Sequence, residues 1–510
     1  MHHPSLQHDA SDLIAGAWHA ASGSLTSQNP AKPSSVVWSG GTEVSHVDRA
    51  VAAAHEAGLT WSRWSLEKRM GVLRRYQKLC AERQDAIATL IRDETGKVMW
   101  DSKAEAGLLG NKVDITLDQS PEGAFRRVAG METKLAETRQ GKAWFRPHGV
   151  MAVLGPFNFP MHLPNGHIVP ALLMGNTIVF KPSDKTPACG QMLAELLQEA
   201  LEAEGAPRGV VNLVQGRADV AQKLVRHPGV DGVLFTGSWP VGRAILEANL
   251  DSPGKICALE MGGNNAAVIM PDADLKQAVI ECVRSAFVTT GQRCTCTRRL
   301  VVHEAVADRV IKAVCKAASN LIIGQPDAPH PVFMGPVISE AARRGILEAQ
   351  AAFVKAGGES LMECSALDGE GWFVTPGVMR VDRFTIEGGG GADVEVFGPL
   401  LRVAVVKSLD EAIEQANATR YGLAASIFTK DAAAIELFLH EARAGCVNVN
   451  TGTAGASSKL PFGGLGLSGN HRPAGSFSLD YCAYPVAGMI ESGAAATVPT
   501  GMRFEDGWIA

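Results

Sequence analysis

From Ser45 onward apolar residues recur at helical spacing. Val47, Val51 and Ala54 mark one face, with Ser45 placed to cap the helix and Asp48 in its first turn. Further amphipathic stretches over 65–82, 83–95 and 101–118 predict that the chain opens with a helical layer. The residues before it, 1–43, are polar and rich in Pro, Gly and Ser, which predicts an irregular or short-stranded arm. Between 121 and 148, Gly123, Gly130 and Gly141 punctuate short runs and Pro147 ends the last. This reads as a hairpin projecting from the body and able to pair with another subunit, or as a plain surface loop.

At 149 the period changes. Short apolar runs at 150–154, 177–180, 211–214, 233–235 and 256–259 alternate with amphipathic ones near 187–203, 217–226 and 240–250. The pattern resumes with a strand at 266–269, a helix at 274–289, a strand at 299–302 and a helix at 305–319. Residues 357–395 read as loop-rich, and a further strand-helix-strand unit spans about 402–450. Apolar strands between amphipathic helices predict an α/β protein, with a parallel sheet covered on both faces. The most apolar stretch, 149–180, is interrupted by Pro156, Pro160, Pro164 and Pro170, so it is not expected to span a bilayer as one helix.

Composition narrows the function. The 510 residues are enough for two or three domains. A hydrophobic content of 46 %, a charged content of 20 % and a net charge of −5 fit an ordinary globular protein, and no Lys/Arg block points to nucleic acid. The ten cysteines contain no CxxC pair and do not read as a disulfide framework, and HExxH is absent. No metal site, no membrane partner and no signal peptide are expected, and the compartment reads as cytoplasmic and reduced.

Candidate chemistry clusters where the strands end, the edge of an open α/β sheet at which ligands bind. Asn158, in Gly155-Pro156-Phe157-Asn158-Phe159-Pro160, offers a side-chain amide of the kind that stabilises an oxyanion. Lys181-Pro182-Ser183-Asp184 could clasp a ribose diol. The run from Phe235 through Gly237 and Ser238 to Gly242 is strand, tight turn and helix start, suited to a pyrophosphate. It is no Walker loop, since Arg243-Ala244 follows Gly242. A GxGxxG spacing at Gly464, Gly466 and Gly469 has no βαβ unit around it and reads as a decoy. Glu260, before Gly262-Gly263, could be a general base if burial raised its pKa. Glu395 and Phe397 pair an acid with an aromatic, and Pro461-Phe462-Gly463-Gly464 could line a pocket. Cys294 follows Gly291-Gln292-Arg293. A thiol is nucleophilic as thiolate, and Arg293 is expected to favour that form. Taken singly, each motif is as well explained by a turn or a core residue.

Together and in this order, GPFNFP, KPSD, FTGSxxxG, EMGG, GQRC, EVFGP and PFGG resemble the NAD(P)-dependent aldehyde dehydrogenase superfamily over about residues 45–485. Longer passages, among them 163–183, 285–300 and 461–473, resemble its succinylglutamate-semialdehyde branch, of arginine catabolism. The resemblance implies oxidation of an aldehyde to an acid, with Cys294 as nucleophile, Asn158 and the Cys294 backbone N–H as oxyanion donors and Glu260 activating water. It implies a cofactor site built from Lys181, Ser183, Asp184, Phe235, Gly237, Ser238, Gly242, Glu395 and Phe397. A carboxylate at Asp184 favours NAD over NADP. Substrate carboxylates would meet His162, Arg293 and the Asn470-His471-Arg472 turn, with Phe462 lining the substrate pocket and Gly166 leaving room; His471 and Arg472 could instead be interface residues. The implied architecture is an NAD-binding domain (1–119 and 147–257), a catalytic domain (258–470) and a β oligomerisation element (120–146 and 471–492), assembled as homodimers or homotetramers. No role is implied for 493–510. Competing expectations are a dehydrogenase for a glutamate- or succinate-type semialdehyde and a non-catalytic relative.

Overall fold

A computed structural model describes residues 3–493 and 496–510. The alternating pattern forms two seven-stranded sheets in succession. In the first, the order is Ile256–Glu260, Gly232–Thr236, Val150–Leu154, Thr177–Lys181, Val211–Leu213, Asp12–Ile14 and Ala17–His19. Its five strands from the middle of the chain are parallel, and four of them are buried throughout or nearly so, as strands covered on both faces must be. The short-stranded arm does not hang free. Asp12–Ile14 joins the edge antiparallel through Leu13 and Leu213, while Leu25–Asn29 and Lys32–Gly40 form a separate hairpin.

The helices Ser45–Trp61, Leu66–Glu82, Gln84–Thr95 and Met99–Leu117 make the expected opening layer. The proline-interrupted stretch holds a helix that the periodicity did not reveal, His162–Met174. It is apolar almost all round, so it shows no amphipathic stripe. Pro164 sits in its first turn, where a missing N–H costs little, and Pro170 is tolerated inside because the whole element is packed in the core.

The second sheet runs Glu359–Met362, Gly377–Arg380, Leu400–Val406, Thr297–His303, Asn265–Ile269, Ala424–Phe428 and Cys446–Val449, all parallel but the first. Two of its strands and the helix Glu340–Lys355, capped by Ser339, occupy sequence where loops or nothing regular were expected. The predicted 274–289 helix stops at Phe287. Beyond it Thr289 and Thr290 turn left-handed, at φ 55° and 53°.

The 121–148 stretch is a hairpin of Met131–Lys134 and Arg139–Pro147, and Ala483–Glu491 adds a third antiparallel strand over nine residues. No described helix is long and apolar enough to cross a membrane.

Candidate active site

Parallel register brings the motifs together. Leu154 is level with Lys181 and with Phe235, and Thr236 with Glu260, so four strands finish along one edge. Asn158, Lys181–Asp184, Gly237–Ser238 and Glu260 follow from those ends. The chain leaves the first sheet at Glu260 and enters the second at Asn265. Asn265 is paired with Thr297 at the start of the neighbouring strand, three residues after Cys294. The Cys294 loop thus joins the carboxyl edge of the first sheet to the amino edge of the second.

Asn158 is 5 % exposed, and its Nδ2 donates to the Gln292 carbonyl at 3.0 Å, two residues from Cys294. Glu260 is equally buried, and its Oε2 has no hydrogen-bond partner among the described residues. Burial holds its carboxyl well above the usual carboxylate range, opposed by the Ala474 N–H. The Cys294 thiol is pushed up to about 12, first by burial and then by the Glu395 and Glu260 charges. Both carboxylates therefore act on this sulfur. The Cys294 N–H has no acceptor among the described residues, leaving a free donor beside the thiol.

Arg293 corrects an expectation twice over. Its Nη2 donates to Asp101 at 2.6 Å and its Nε to the Thr289 hydroxyl at 2.7 Å, with the guanidinium 5.1 Å from the Phe159 ring centre. A buried carboxylate has captured it, so it neither lowers the thiol pKa nor stands free for a substrate. The same Asp101 accepts from the Thr289 hydroxyl. These bonds hold Thr289, and a 2.9 Å bond from the Thr290 hydroxyl to the Gly335 carbonyl holds Thr290, in a left-handed conformation that costs about 1–3 kcal/mol each. Gly291, at φ +71°, has no room for a side chain, since a Cβ would lie 2.2 Å from the Gly398 carbonyl oxygen. Asn265 Nδ2 donates to the carbonyls of Cys294 (2.7 Å) and Cys296 (2.8 Å), and Gln292 Oε1 accepts from Ile338 N–H at 3.0 Å. Asp101 and Gln292 gave no signal as site residues in sequence; Asn265 lay inside a quoted motif without a role.

On the cofactor side, Lys181 is buried, and among the described residues its Nζ donates only to the Pro182 carbonyl, at 2.7 Å. Burial lowers its pKa to about 8, opposed by Asp184 and Asp219. Ser183 Oγ accepts from the Lys185 N–H at 3.2 Å. The ten-residue helix Trp239–Ala248 starts after Ser238, whose hydroxyl makes no cap bond, so the first N–H groups of the helix are left uncapped by this side chain. Phe235, Gly237 and Gly242 pack on one another beneath that turn. Glu395 Oε1 accepts from the Gly263 N–H at 2.9 Å. Phe397 lies edge-to-face on Phe157, with centroids 5.8 Å apart. A buried amine near a carboxylate, an uncapped helix start, a second acid and a half-buried ring fit a dinucleotide.

The proposed substrate residues divide. His162 and Gly166 are one helical turn apart, and a Cβ on Gly166 would touch nothing, so that face borders open space. Burial and the charges of Lys112 and Lys97 lower the His162 pKa to about 3, making it a neutral N–H donor and not a cation. Phe462 is level with Ala474, the residue whose N–H reaches Glu260. Asn470 is corrected to a structural residue: its amide accepts from Leu259 N–H and donates to the Cys257 carbonyl, pairing 468–470 onto the strand that carries Glu260. His471 and Arg472 are exposed, and among the described residues Arg472 donates only to the His471 carbonyl. The GxGxxG glycines are packed in this same segment; a Cβ on Gly464 would lie 2.3 Å from that of Ser468.

The chain is similar to known proteins over nearly its whole length. The aldehyde dehydrogenase family profile matches residues 18–485. The chain is 44 % identical over 478 residues to an N-succinylglutamate 5-semialdehyde dehydrogenase of Caulobacter sp. (strain K31), covering 93 % of this chain and 95 % of that one. It is 43 % identical over 482 residues to the enzyme of the same name from Novosphingobium aromaticivorans, covering 94 % and 98 %. An NAD-dependent aldehyde dehydrogenase from Sinorhizobium meliloti superposes with a TM-score of 0.90 at 28 % identity, over 97 % of each chain.

Proposed function

The chain belongs to the aldehyde dehydrogenase family, and from that premise we propose that it oxidises N-succinylglutamate 5-semialdehyde to N-succinylglutamate with NAD. The observation that carries the chemistry is the convergence of Cys294, Asn158 and Glu260 where the two sheets meet. The observation that carries the substrate is the identity to relatives of that name over nearly the whole chain.

The Glu260 carboxylate would take the thiol proton as Cys294 Sγ attacks the aldehyde carbon and forms a C–S bond, and would pass that proton to solvent before the hydrolytic step. The carbonyl oxygen becomes an oxyanion, which the Asn158 amide and the free Cys294 N–H receive. Losing one such donor costs about 3 kcal/mol of barrier. When bound, the nicotinamide cofactor supplies the two-electron acceptor that turns the adduct into a thioester. Glu260 then takes a proton from water as the oxygen attacks the thioester carbon. The C–S bond breaks, the acid leaves and the thiol is restored. General-base help of this kind contributes roughly 10²–10⁴-fold.

Lys181 and Asp184 would hold the adenine ribose, Ser238 and its helix start the pyrophosphate, and Glu395 the nicotinamide ribose beside Phe397. Asp184 would repel a 2′-phosphate, which supports NAD over NADP. His162 would donate to a carboxylate or amide carbonyl of the acyl group, with Gly166 giving it space. The exposed outer strands of the three-stranded sheet support assembly into a homo-oligomer, and the free cysteines support a reducing, cytoplasmic setting.

The test is a panel of semialdehydes compared by kcat/KM with NAD and with NADP. N-succinylglutamate 5-semialdehyde with NAD should lead by at least about tenfold. A glutamate- or succinate-type semialdehyde in first place would overturn the substrate, and turnover surviving in Cys294→Ala would overturn the mechanism.

A further inference from the structure

Arg298 is 1 % exposed, and no carboxylate lies within ion-pair distance of it among the described residues. A guanidinium buried without a counter-ion is costly unless its hydrogen bonds are well used. It spends two of them on carbonyls at the heart of the site. Nη2 donates to the Arg293 carbonyl at 3.0 Å, and Nη1 to the Gly398 carbonyl at 3.0 Å. Its guanidinium carbon lies 5.4 Å from the centre of the Phe397 ring. Its Nε is buried and unpartnered.

The Arg293 carbonyl and the Cys294 N–H belong to one peptide unit. In a planar trans peptide the two point in opposite directions. A donor that fixes the carbonyl on one side therefore aims the N–H on the other. We propose that Arg298 is the positioning residue of the oxyanion site: it locks the 293–294 peptide so that the Cys294 N–H faces the reacting carbonyl oxygen. It braces that peptide against the Phe397–Gly398 turn. Drawing charge from the carbonyl also makes the N–H a better donor. Cys296 N–H binds the same carbonyl at 3.2 Å, but from within the loop itself, so it cannot anchor the peptide to the rest of the domain. Asn265 fixes the next peptide through the Cys294 carbonyl, leaving the 293–294 unit to Arg298.

This inference rests on the reading of Cys294 as nucleophile and of its N–H as an oxyanion donor. The test uses a reaction that needs the thiol and the oxyanion donors but no electron acceptor: hydrolysis of 4-nitrophenyl acetate by the full-length protein without cofactor. Arg298→Met should lower kcat by about tenfold or more with KM little changed. Alkylation of Cys294 by iodoacetamide, which develops no oxyanion, should keep its rate. Arg298→Lys, able to reach one carbonyl but not both, should recover part of kcat. Unchanged ester turnover in Arg298→Met, while Asn158→Ala lowers it, overturns the role of Arg298 alone. Unchanged turnover in both variants overturns the oxyanion site itself. A matching loss of alkylation in Arg298→Met and Arg298→Lys means the loop has collapsed, and that also overturns the proposal.

Discussion

Glu260 keeps one carboxyl oxygen buried and unpartnered while its carboxyl is held in the protonatable range by burial. It must be ionised to take a proton from water, and its folded pKa lies above that of an ordinary carboxylate, about 4.3. Hydrolysis of the acyl-enzyme should therefore rise with pH through that raised value, with an acid limb displaced upward from the usual carboxylate position. In Glu260→Gln the limb should vanish, turnover should fall roughly 10²–10⁴-fold, and intact-mass analysis should find acyl groups retained on Cys294. Absence of trapped acyl-enzyme would count against the role. Cys294, Glu260 and Asn158 each stand in a turn next to an apolar run, but only the order of the motifs and the family they resemble made them candidates. What surrounds them was not legible. Arg293 read as a cation for the thiol, yet its partner Asp101 is 192 positions away in sequence and no local pattern joins them.

At the scale of elements, the Cys294 loop is held by what it touches. Removing Arg293 would leave Asp101 buried with a charge and only the Thr289 hydroxyl to answer it. Arg293→Ala should thus cost about 3 kcal/mol of stability and leave the KM for the semialdehyde nearly unchanged. Chemical denaturation and initial-rate kinetics check the two halves; a large KM effect without destabilisation would return Arg293 to the substrate site. Strand-helix alternation from 149 to 260 was readable because period and length agree there. The helix His162–Met174 was hidden because total burial erases its stripe, and prolines argued against it. The left-handed Thr289 and Thr290 contradict their own propensities and exist only because tertiary bonds hold them.

Across the whole molecule, the three-stranded sheet leaves its long outer strand, Ala483–Glu491, largely uncovered, with Met489 at 74 % and Ile490 at 52 % exposure. The residue pattern indicated a hairpin at 121–148, whereas only the family resemblance joined 471–492 to it, since pairing between such distant segments leaves no local trace. If this surface joins subunits, Met489→Lys with Ile490→Lys should lower the assembled mass seen by sedimentation while leaving the ester hydrolysis of each chain intact. An unaltered mass would place the contact elsewhere. The passage between the two large sheets is different in kind. Met261 N–H binds the Ser468 carbonyl, and Gly262 lies so close to Glu395 that a Cβ would fall 1.9 Å from its oxygen. Gly263 donates to Glu395, and Asn264 is bonded to Asp393 and Arg299. A crossing bonded on both sides of Gly262 is a fixed joint, where the carboxyl edge of one sheet and the amino edge of the next are held in a single relation.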